Sequence, residues 1–394
     1  MAKLIDITGK AISGEWGNDD DAGTGIPVLR TTNFTNDGVI NYNNVVTRDI
    51  QKKDLSQKFL QPGDIIIEKS GGSDKQPVGR VVYYDGEPDK FLFNNFTGAL
   101  RVRDKSVWYP RYVFYALYGN YAKGGTRRYE NKTTGLHNLK TDQYVQDFAI
   151  QEQPLEYQQW VVSKLDKVTE LIALRKEQLA KLDQLVKSRF IELFGDPDEN
   201  PMKWETAELG QHLDVIGGFA FKSDGFTDAG IPVLRIGNIN SGHFLPVNMV
   251  FWPDDPALAR YKMYPGDLVM SLTGTVGKDD YGNVCILSDE YSEYYLNQRN
   301  AKLAINATLN KHYLSEMLKF SKIKKRLTGI SRGVRQANIS NRDILALCVP
   351  IPPIGLQEQF AAFVEQTDKS KLVIQQSLDK LELLKKSLMQ ENFG

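Results

Sequence analysis

Two stretches of the chain carry apolar side chains in alternating steps of three and four residues. The first runs from about Glu156 to Phe194, contains no Gly or Pro, and is rich in Leu, Lys, Glu and Gln. This heptad spacing predicts one long helix that packs against another helix, and the Gly195-Asp196-Pro197 segment predicts its end. The apolar positions, with Arg175 and Arg189 completing the series, are Val161, Leu165, Val168, Ile172, Leu179, Leu182, Val186 and Leu193.

The second stretch lies at the end of the sequence and has the same character. Two such helices in one chain bury their apolar seams most economically against each other. We therefore expect an antiparallel coiled coil with a pseudo-twofold axis, which would place the segments that precede the helices at opposite ends of a rod. The apolar positions on one side of the second helix are Ile374, Leu378, Leu381, Leu384 and Leu388.

The segments before the two helices repeat each other in order, which indicates an internal duplication. The IPVLR segment at 26–30 recurs at 231–235, and the Pro-Gly-Asp segment at 62–64 recurs at 265–267, each time before an apolar run. Later matches pair Asn138-Leu139 with Asn338-Ile339, and Gln159-Trp160 with Gln359-Phe360.

Short β-rich segments between Gly, Pro, Asn and Asp residues predict a β-rich body in each half, so the predicted fold class is α+β. The GDPDENPMKW linker at 195–204 is the clearest boundary. The predicted division is a first body at 1–154, a first long helix at 155–195, a second body at 196–353 and a second long helix at 354–394.

Composition limits the environment more than it identifies partners. Lys plus Arg equals Asp plus Glu at 49 each, and no apolar run is long enough to cross a membrane. The start, MAKLIDITGK, lacks the apolar stretch of a signal peptide. The two cysteines, Cys285 and Cys348, lie in no CxxC pattern. We therefore expect a cytoplasmic protein without disulfides and without membrane contact.

Basic side chains are concentrated at corresponding places in the two halves. The stretch 319–342 holds 8 Lys and Arg residues and no acidic residue, and the first-half stretch 111–132 is also basic. Cations beside Gly-rich loops suit phosphate contact, and Arg, Gln and Asn could contact base edges. A solvated helix face is the alternative, but recurrence in both halves favours nucleic acid. The candidate DNA contacts are Arg30, Lys69, Ser70, Lys75, Arg80, Lys123, Thr126, Arg127, Arg128, Lys132, Arg235, Thr273, Thr275, Lys278, Lys322, Lys325, Arg326, Arg332, Arg335 and Gln336.

Several of these features have a second interpretation. The tyrosines between 109 and 121 could stack on bases, although such a stripe is more often helix core, with Pro110 starting the helix. The loops at 69–80 and 273–278 could approach phosphates or could be plain hairpin turns. Arg30 and Arg235 either contact DNA or support the fold, and support of the fold is slightly favoured.

Catalytic candidates are weak. The four histidines have no His or Cys partner at metal-ligand spacing, so no metal site is expected. There is no Walker loop, and Gly23-Thr24-Gly25 lacks a preceding strand. Asp64, Glu68 and Lys69 have the wrong spacing for a nuclease site and no equivalent in the second half. We therefore expect a non-catalytic chain.

The sequence resembles the specificity (S) subunit of Type I restriction-modification enzymes over its whole length. The resemblance rests on the duplicated IPVLR and Pro-Gly-Asp segments and on PIPPI at 350–354 followed by Glu358-Gln359-Phe360. The first copy departs from this pattern, because it has only Pro154 before its helix, and Gln158 stands where the second copy has Glu358.

The resemblance implies a function and a set of partners. Each body would be a target recognition domain that reads one half of an asymmetric, bipartite sequence in double-stranded DNA. The long helices would dock two methylation (M) subunits, and restriction (R) subunits would join the assembly. S-adenosylmethionine, ATP and Mg would be bound by those partners, and this chain would carry no cofactor.

Two other functions remain open at this point. The chain could be a scaffold that binds proteins through both its helices and its bodies. It could also be a self-sufficient methyltransferase or nuclease, although the sequence has no Asp-Pro-Pro-Tyr or Asn-Pro-Pro-Tyr tetrapeptide and no Gly-rich cofactor loop.

Overall fold

The structure is a computed structural model of the 394-residue chain. It describes residues 1–52, 54–133, 136–240, 242–275, 277–278, 280–329 and 336–394. Contacts divide the chain into two compact units. Unit 1 comprises Met1–Lys176 and Gln376–Gly394, and unit 2 comprises Glu177–Gln375. Each unit therefore contains one β-rich body and a part of both long helices.

Unit 1 contains two four-stranded sheets, of orders β2-β10-β6-β8 and β3-β5-β4-β9, a three-stranded sheet β11-β12-β7 and the pair β1-β13. Strands β4 and β9 run parallel. The strands are β1 (Ala2–Lys3), β2 (Ile12–Ser13), β3 (Asn18–Asp19), β4 (Ile26–Leu29), β5 (Val46–Asp49), β6 (Ile65–Glu68), β7 (Ser70–Gly72), β8 (Val81–Tyr83), β9 (Leu92–Phe93), β10 (Thr97–Leu100), β11 (Glu130–Thr133), β12 (Leu136–Leu139) and β13 (Ala149–Ile150). The helices that begin in unit 1 are α1 (Leu4–Thr8), α2 (Pro110–Ala122), α3 (Thr141–Asp147) and α4 (Leu155–Phe194).

Unit 2 repeats this arrangement with the sheets β15-β23-β19-β21 and β17-β16-β22-β18 and the pairs β20-β24 and β14-β25. Its parallel pair is β16 with β22. The strands are β14 (Thr206–Glu208), β15 (Leu213–Gly217), β16 (Ile231–Leu234), β17 (Phe251–Trp252), β18 (Lys262–Met263), β19 (Leu268–Ser271), β20 (Thr273–Thr275), β21 (Val284–Ile286), β22 (Tyr294–Leu296), β23 (Asn300–Ile305), β24 (Gln336–Asn338) and β25 (Cys348–Pro350). The helices that begin in unit 2 are α5 (Lys311–Lys319), α6 (Ser321–Thr328), α7 (Asn341–Leu345) and α8 (Ile354–Phe393). The matched topology confirms the predicted α+β duplication.

The long helices pair antiparallel within each unit. In unit 1 the Tyr157 hydroxyl donates to Asn392 Oδ1 at 3.0 Å, and Arg175 Nε donates to Ser377 Oγ at 3.3 Å. In unit 2 Lys371 forms an ion pair with Asp183 at 2.8 Å. The seam predicted on α4 is buried or half-buried at every position from Val161 to Leu193.

The seam predicted on α8 needs one correction. Leu378 is buried, but Leu384 is 45% exposed. The half-buried side chain is the next one, Lys385, whose ammonium lies 5.6 Å from the centre of the Tyr118 ring. Alternating steps of four and three residues run from Ile374 through Leu378 and Leu381 to position 385. The helix therefore keeps its periodicity, and the seam contains the aliphatic part of the Lys385 side chain. Burial lowers the pKa of Lys385.

The repeated Pro-Gly-Asp segments form the same turn in both units. Asp64 Oδ2 accepts a hydrogen bond from Gln61 N and pairs with Arg101, and Asp267 Oδ2 accepts from Tyr264 N and pairs with Lys302. The glycines have φ of +101° and +85°, a conformation that favours Gly. These residues recur because they turn the chain into the fully buried strands β6 and β19.

A buried glutamine joins each long helix to the body before it. Gln158 Oε1 accepts from Tyr109 N at 2.8 Å, and Gln158 Nε2 donates to the carbonyls of Val107 and Gln153. Gln357 does the same with Asn310 N and the Pro352 carbonyl. The structure therefore pairs Gln158 with Gln357, which corrects the predicted pairing of Gln159-Trp160 with Gln359-Phe360 by one residue.

Candidate nucleic-acid interface

Each unit has a four-residue turn that begins with Asn and follows the strand paired in parallel with the IPVL strand. We call residues 94–97 in unit 1 and 297–300 in unit 2 the Asn turns. Backbone hydrogen bonds close them, from Thr97 N to Asn94 O at 3.1 Å and from Asn300 N to Asn297 O at 2.9 Å. In both turns the last residue is buried and the two central residues are exposed.

The unit 1 turn borders a recess of about 440 Å³. The recess brings together two predicted candidates, Lys69 and Ser70, with Asn95, Phe96 and other residues of the β7 and β12 region. Burial lowers the pKa of Lys69, while the nearby Asp142 carboxylate opposes that shift. The recess therefore offers one cation, several hydroxyl and amide groups, and an exposed aromatic ring.

The unit 2 turn borders a recess of about 450 Å³. Its lining includes the predicted candidate Arg235 and all three exposed or half-buried turn residues, Asn297, Gln298 and Arg299. This recess offers two guanidinium groups and several amides, which are the groups that recognise phosphates and base edges.

Arg30 and Arg235 occupy the same place in the two units. Arg30 Nη2 donates to the Asn44 carbonyl at 3.1 Å, and Arg235 Nη2 donates to the Asn248 carbonyl. The backbone N–H of each arginine donates to a buried Asn three residues later, Asn33 or Asn238. The recurrence of IPVLR and of the Asn that follows it is thus explained by hydrogen bonds that close the same loop in both units. This agrees with the slightly favoured interpretation that Arg30 and Arg235 support the fold.

Two of the predicted DNA contacts, Arg80 and Thr126, have side chains that are largely or fully buried inside unit 1. Arg80 donates to the Phe34 and Thr31 carbonyls and pairs with Glu68 at 3.2 Å, and only 16% of its side chain is exposed. Burial raises the pKa of Glu68, and Arg80 opposes that shift. Thr126 is fully buried. These two side chains are therefore removed from the candidate DNA contacts.

Most other candidate cations are at the surface, but several have partners there. Lys123 donates to the Phe393 carbonyl, Arg127 to the Asp74 carbonyl and Arg326 to the Cys348 carbonyl. Lys322 pairs with Asp198 and Glu199. Lys75, Arg128, Lys278 and Lys325 are exposed, and Arg128 lies over the Tyr129 ring.

The remaining candidates fall into two groups. Thr273 is half-buried, and the exposed Thr275 donates to Asp280 at 2.9 Å. Arg332, Arg335 and the side chains of Lys132 and Gln336 lie outside the described residues.

Most of the tyrosine stripe packs in the core or against it. Helix α2 starts at Pro110, and Tyr112 and Tyr115 are buried on it, which confirms the preferred interpretation. Tyr115 donates to Asp166 Oδ1 at 2.5 Å, so the stripe ties the body of unit 1 to the start of α4.

Among the described residues, no group of three or more His, Cys, Asp or Glu side chains is placed to hold a metal ion. Among these residues, no helix is long and apolar enough to cross a membrane. His137 is buried and pairs with Glu130 at 3.0 Å, which is a structural role.

Comparison with known proteins identifies the family of the chain. The sequence profile of the Type I restriction modification DNA specificity domain matches the chain twice, over residues 2–184 and 201–383. The chain belongs to this family. Its members named as specificity subunits are non-catalytic components, and they act with DNA and with the other subunits of their systems.

This specificity subunit has both curated and structural relatives. It is 23% identical over 365 residues to a putative Type I restriction enzyme MjaX specificity subunit of Methanocaldococcus jannaschii, covering 86% of this chain and 80% of the relative. It is 28% identical over 214 residues to the EcoAI specificity subunit of Escherichia coli, covering 52% of this chain and 36% of that protein. The crystal structure of an S subunit from M. genitalium superposes with a TM-score of 0.60 at 15% identity, covering 100% of this chain and 95% of the other, which shows a shared fold.

The Asn turns of this specificity subunit were absent from the sequence prediction. A signal for them exists, because Phe93-Asn94-Asn95 and Leu296-Asn297-Gln298 repeat between the Pro-Gly-Asp segments and the Asn138 and Asn338 segments. The basic clusters do not include them, because the unit 1 turn carries no charge.

Proposed function

We propose that this specificity subunit reads an asymmetric, bipartite DNA sequence, with one half-site read by each body. The observation that carries this proposal is that the family profile matches each half separately, and each half contains its own body and recess. The exposed residues of the two recesses differ, so the half-sites should differ. In this proposal 1–154 and 196–353 are the target recognition domains, and 155–195 and 354–394 are the spacer helices.

The exposed lysine and arginine side chains would contribute affinity for DNA that does not depend on its base sequence. Lys75, Arg128, Lys278 and Lys325 are exposed and suited to phosphates. Lys69, Ser70 and Arg235 line the recesses and are placed to contact either phosphates or bases. Arg332, Arg335, Lys132 and Gln336 stay in the proposed contact set on the basis of sequence alone.

The long helices would dock two methylation subunits, and restriction subunits would join the assembly. Helix α8 supports this proposal because Leu372, Val373 and Leu383 remain 60%, 66% and 68% exposed, and the corrected residue Leu384 is exposed as well. Exposed apolar side chains that form a contiguous patch are typical of partner contacts. S-adenosylmethionine, ATP and Mg would be bound by those partners, and the assembly would act on DNA in the cytoplasm.

The salt dependence of DNA binding tests the proposal. The chain, purified with its methylation subunit, is titrated with duplex DNA at several salt concentrations. Removing two phosphate contacts by Lys75→Gln with Arg128→Gln should reduce the slope of log K against log salt by about 1.8, because each contact contributes about 0.9.

Lys90→Gln is the matched control, since Lys90 is an exposed unit 1 lysine that pairs with Glu87 outside the candidate set. It should leave the slope unchanged. DNA binding by the complex that is absent or insensitive to salt would contradict the proposal and favour a protein-binding scaffold.

A further inference from the structure

The Asn turns combine a fixed frame with two exposed residues that differ between the units. In unit 1, Asn94 N donates to the Leu29 carbonyl at 3.0 Å, and the Phe96 carbonyl accepts from Lys69 N at 2.8 Å. In unit 2, Asn300 Nδ2 donates to the Leu234 carbonyl at 2.8 Å, and the Arg299 carbonyl accepts from Leu272 N at 2.9 Å. Each turn is therefore bonded to the IPVL strand on one side and to the strand after Pro-Gly-Asp on the other.

A glycine in each unit allows another chain segment to pass directly against the turn. A Cβ atom on Gly14 would lie 2.1 Å from the Asn94 carbonyl oxygen, and one on Gly218 would lie 2.1 Å from the Asn297 carbonyl oxygen. No side chain fits at that distance, so the packing is possible only with Gly. The same restriction in both units shows that the position of the turn is maintained although its tip differs.

The tips carry side chains that the fold does not use. Asn95 and Gln298 are exposed, as is Arg299, and Phe96 is 53% exposed. Within the described part of the chain, the Asn95, Gln298 and Arg299 side chains have no hydrogen bond or ion pair. In contrast to Arg80 or Arg326, these groups are available to a ligand without loss of an internal contact.

Their chemistry fits base edges in the major groove. Arginine can bind guanine through O6 and N7, and Gln or Asn can bind adenine through N6 and N7. An exposed Phe can contact the methyl group of thymine. A side chain held on a rigid backbone discriminates better than one on a mobile loop, because less order has to be created on binding.

We propose that the Asn turns are the elements that select bases, with Gln298 and Arg299 acting on one half-site and Asn95 and Phe96 on the other. This inference rests on the proposed function, because it assigns residues to the DNA contact that the function requires. It follows that the half-site of unit 2 contains a guanine at the position of Arg299, and that the unit 1 half-site contains an A·T pair at the position of Asn95 and Phe96.

The test uses the assembled complex of this chain with its methylation subunit. Initial rates of methyl transfer are measured on duplexes that carry each base at each position of the wild-type recognition sequence. Arg299→Ala should reduce the preference for one base at one position of one half-site by about 5- to 150-fold, with the other half-site unchanged. Phe96→Ala should change the other half-site only.

Arg260→Ala is the matched control, because Arg260 is an exposed arginine of unit 2 that does not line the recess. It should retain the wild-type preferences. Arg299→Lys keeps the charge without the planar fork, and it should also weaken discrimination at the same position.

The outcomes separate this inference from the proposed function. An Arg299→Ala complex that assembles and loses rate equally on all duplexes would show a phosphate contact and overturn the inference alone. An Arg299→Ala complex that keeps every wild-type base preference would also overturn the inference alone. A wild-type complex that methylates without any fixed sequence would overturn the proposed function and the inference together.

Discussion

The buried glutamines attach the long helices to the bodies, and we predict that losing the hydrogen bonds of Gln158 weakens this attachment in unit 1. Gln158→Met removes three hydrogen bonds, one from Tyr109 N and two to the Val107 and Gln153 carbonyls. Methionine has similar length and volume, so little cavity cost is expected. The cost comes from backbone groups left without partners at a site where Gln158 is 1% exposed.

The size of this effect follows from typical costs. A buried polar group without a partner costs about 1–3 kcal/mol, and carbonyls with a second lone pair fall at the lower end. With about 1–3 kcal/mol for Tyr109 N and about 1 kcal/mol for each carbonyl, we expect the free energy of opening of the α2 region to fall by about 3–5 kcal/mol. That corresponds to a fall of about 150- to 5000-fold in amide protection.

Native-state hydrogen exchange measured by mass spectrometry gives this quantity directly for the peptide that covers Pro110–Ala122. A local probe is preferable to a melting curve because a chain with two units need not unfold in one step. Gln159→Met is the matched control, since Gln159 is the exposed neighbour, and it should change the free energy by less than about 0.5 kcal/mol. Equal effects of Gln158→Met and Gln159→Met would refute the reasoning.

Four further predictions concern other parts of the molecule. Leu378→Ala should lower the free energy of opening of the α8 region by about 2–4 kcal/mol and Leu384→Ala by less than about 0.5 kcal/mol in native-state hydrogen exchange, since only Leu378 is buried; the reverse order would contradict the corrected seam. Leu179→Lys with Leu182→Lys should abolish helix pairing or assembly with the methylation subunit in gel filtration, and assembly that survives would show the seam to be elsewhere. Burial and Lys311 lower the pKa of His312 below its ordinary 6.5, while Glu365 opposes them. As the pH drops below about 6.5, His312 therefore gains a proton in the unfolded chain before it does so in the folded chain, and the free energy of unfolding should fall by at most about 1.4 kcal/mol per pH unit. His312→Gln should remove this contribution to the pH dependence of stability. Burial raises the pKa of Cys285 to about 12, whereas Cys348 is exposed. A disulfide reagent at pH 8 should therefore modify Cys348 quickly in the native chain, and both thiols after denaturation. Rapid modification of both thiols in the native chain would contradict this prediction.

The long helices could be predicted from the sequence because their signal is periodic and local. The 40 residues of α4 contain no Gly or Pro, which leaves few alternatives to a helix, and its seam agrees with the pattern at every position. On α8 the choice of an apolar residue predicts Leu384 as the seam position, whereas the alternation of three- and four-residue steps predicts Lys385, and Lys385 is the half-buried residue. Periodicity was the better guide here, because a lysine can bury its stem while its ammonium stays near the surface.

The individual contact residues could not be predicted in the same way. The burial of Arg80 depends on carbonyls at Thr31 and Phe34, and these are brought to it by tertiary packing. Thr126 is likewise enclosed by a distant segment, because it packs against Gly79. A basic or hydroxyl side chain in a Gly-rich stretch therefore indicates a candidate, but only the fold shows which candidates are exposed.

The Asn turns illustrate the opposite case. Their tips have little in common in sequence, and only the equivalent hydrogen bonds and the close approach of Gly14 and Gly218 identify them as the same element. Chemistry that repeats between the halves does not point to positions at which the two tips differ, as Asn95-Phe96 and Gln298-Arg299 do.

The most direct test of the account is the sequence that the assembly methylates. The chain is co-expressed with its methylation subunit in a host without DNA methylation, and modified adenines are mapped by single-molecule sequencing. We predict one split motif made of two different short half-sites separated by a fixed gap. A complex that assembles and binds S-adenosylmethionine but yields no motif, or yields a single uninterrupted motif, would contradict the assignment of one half-site to each body.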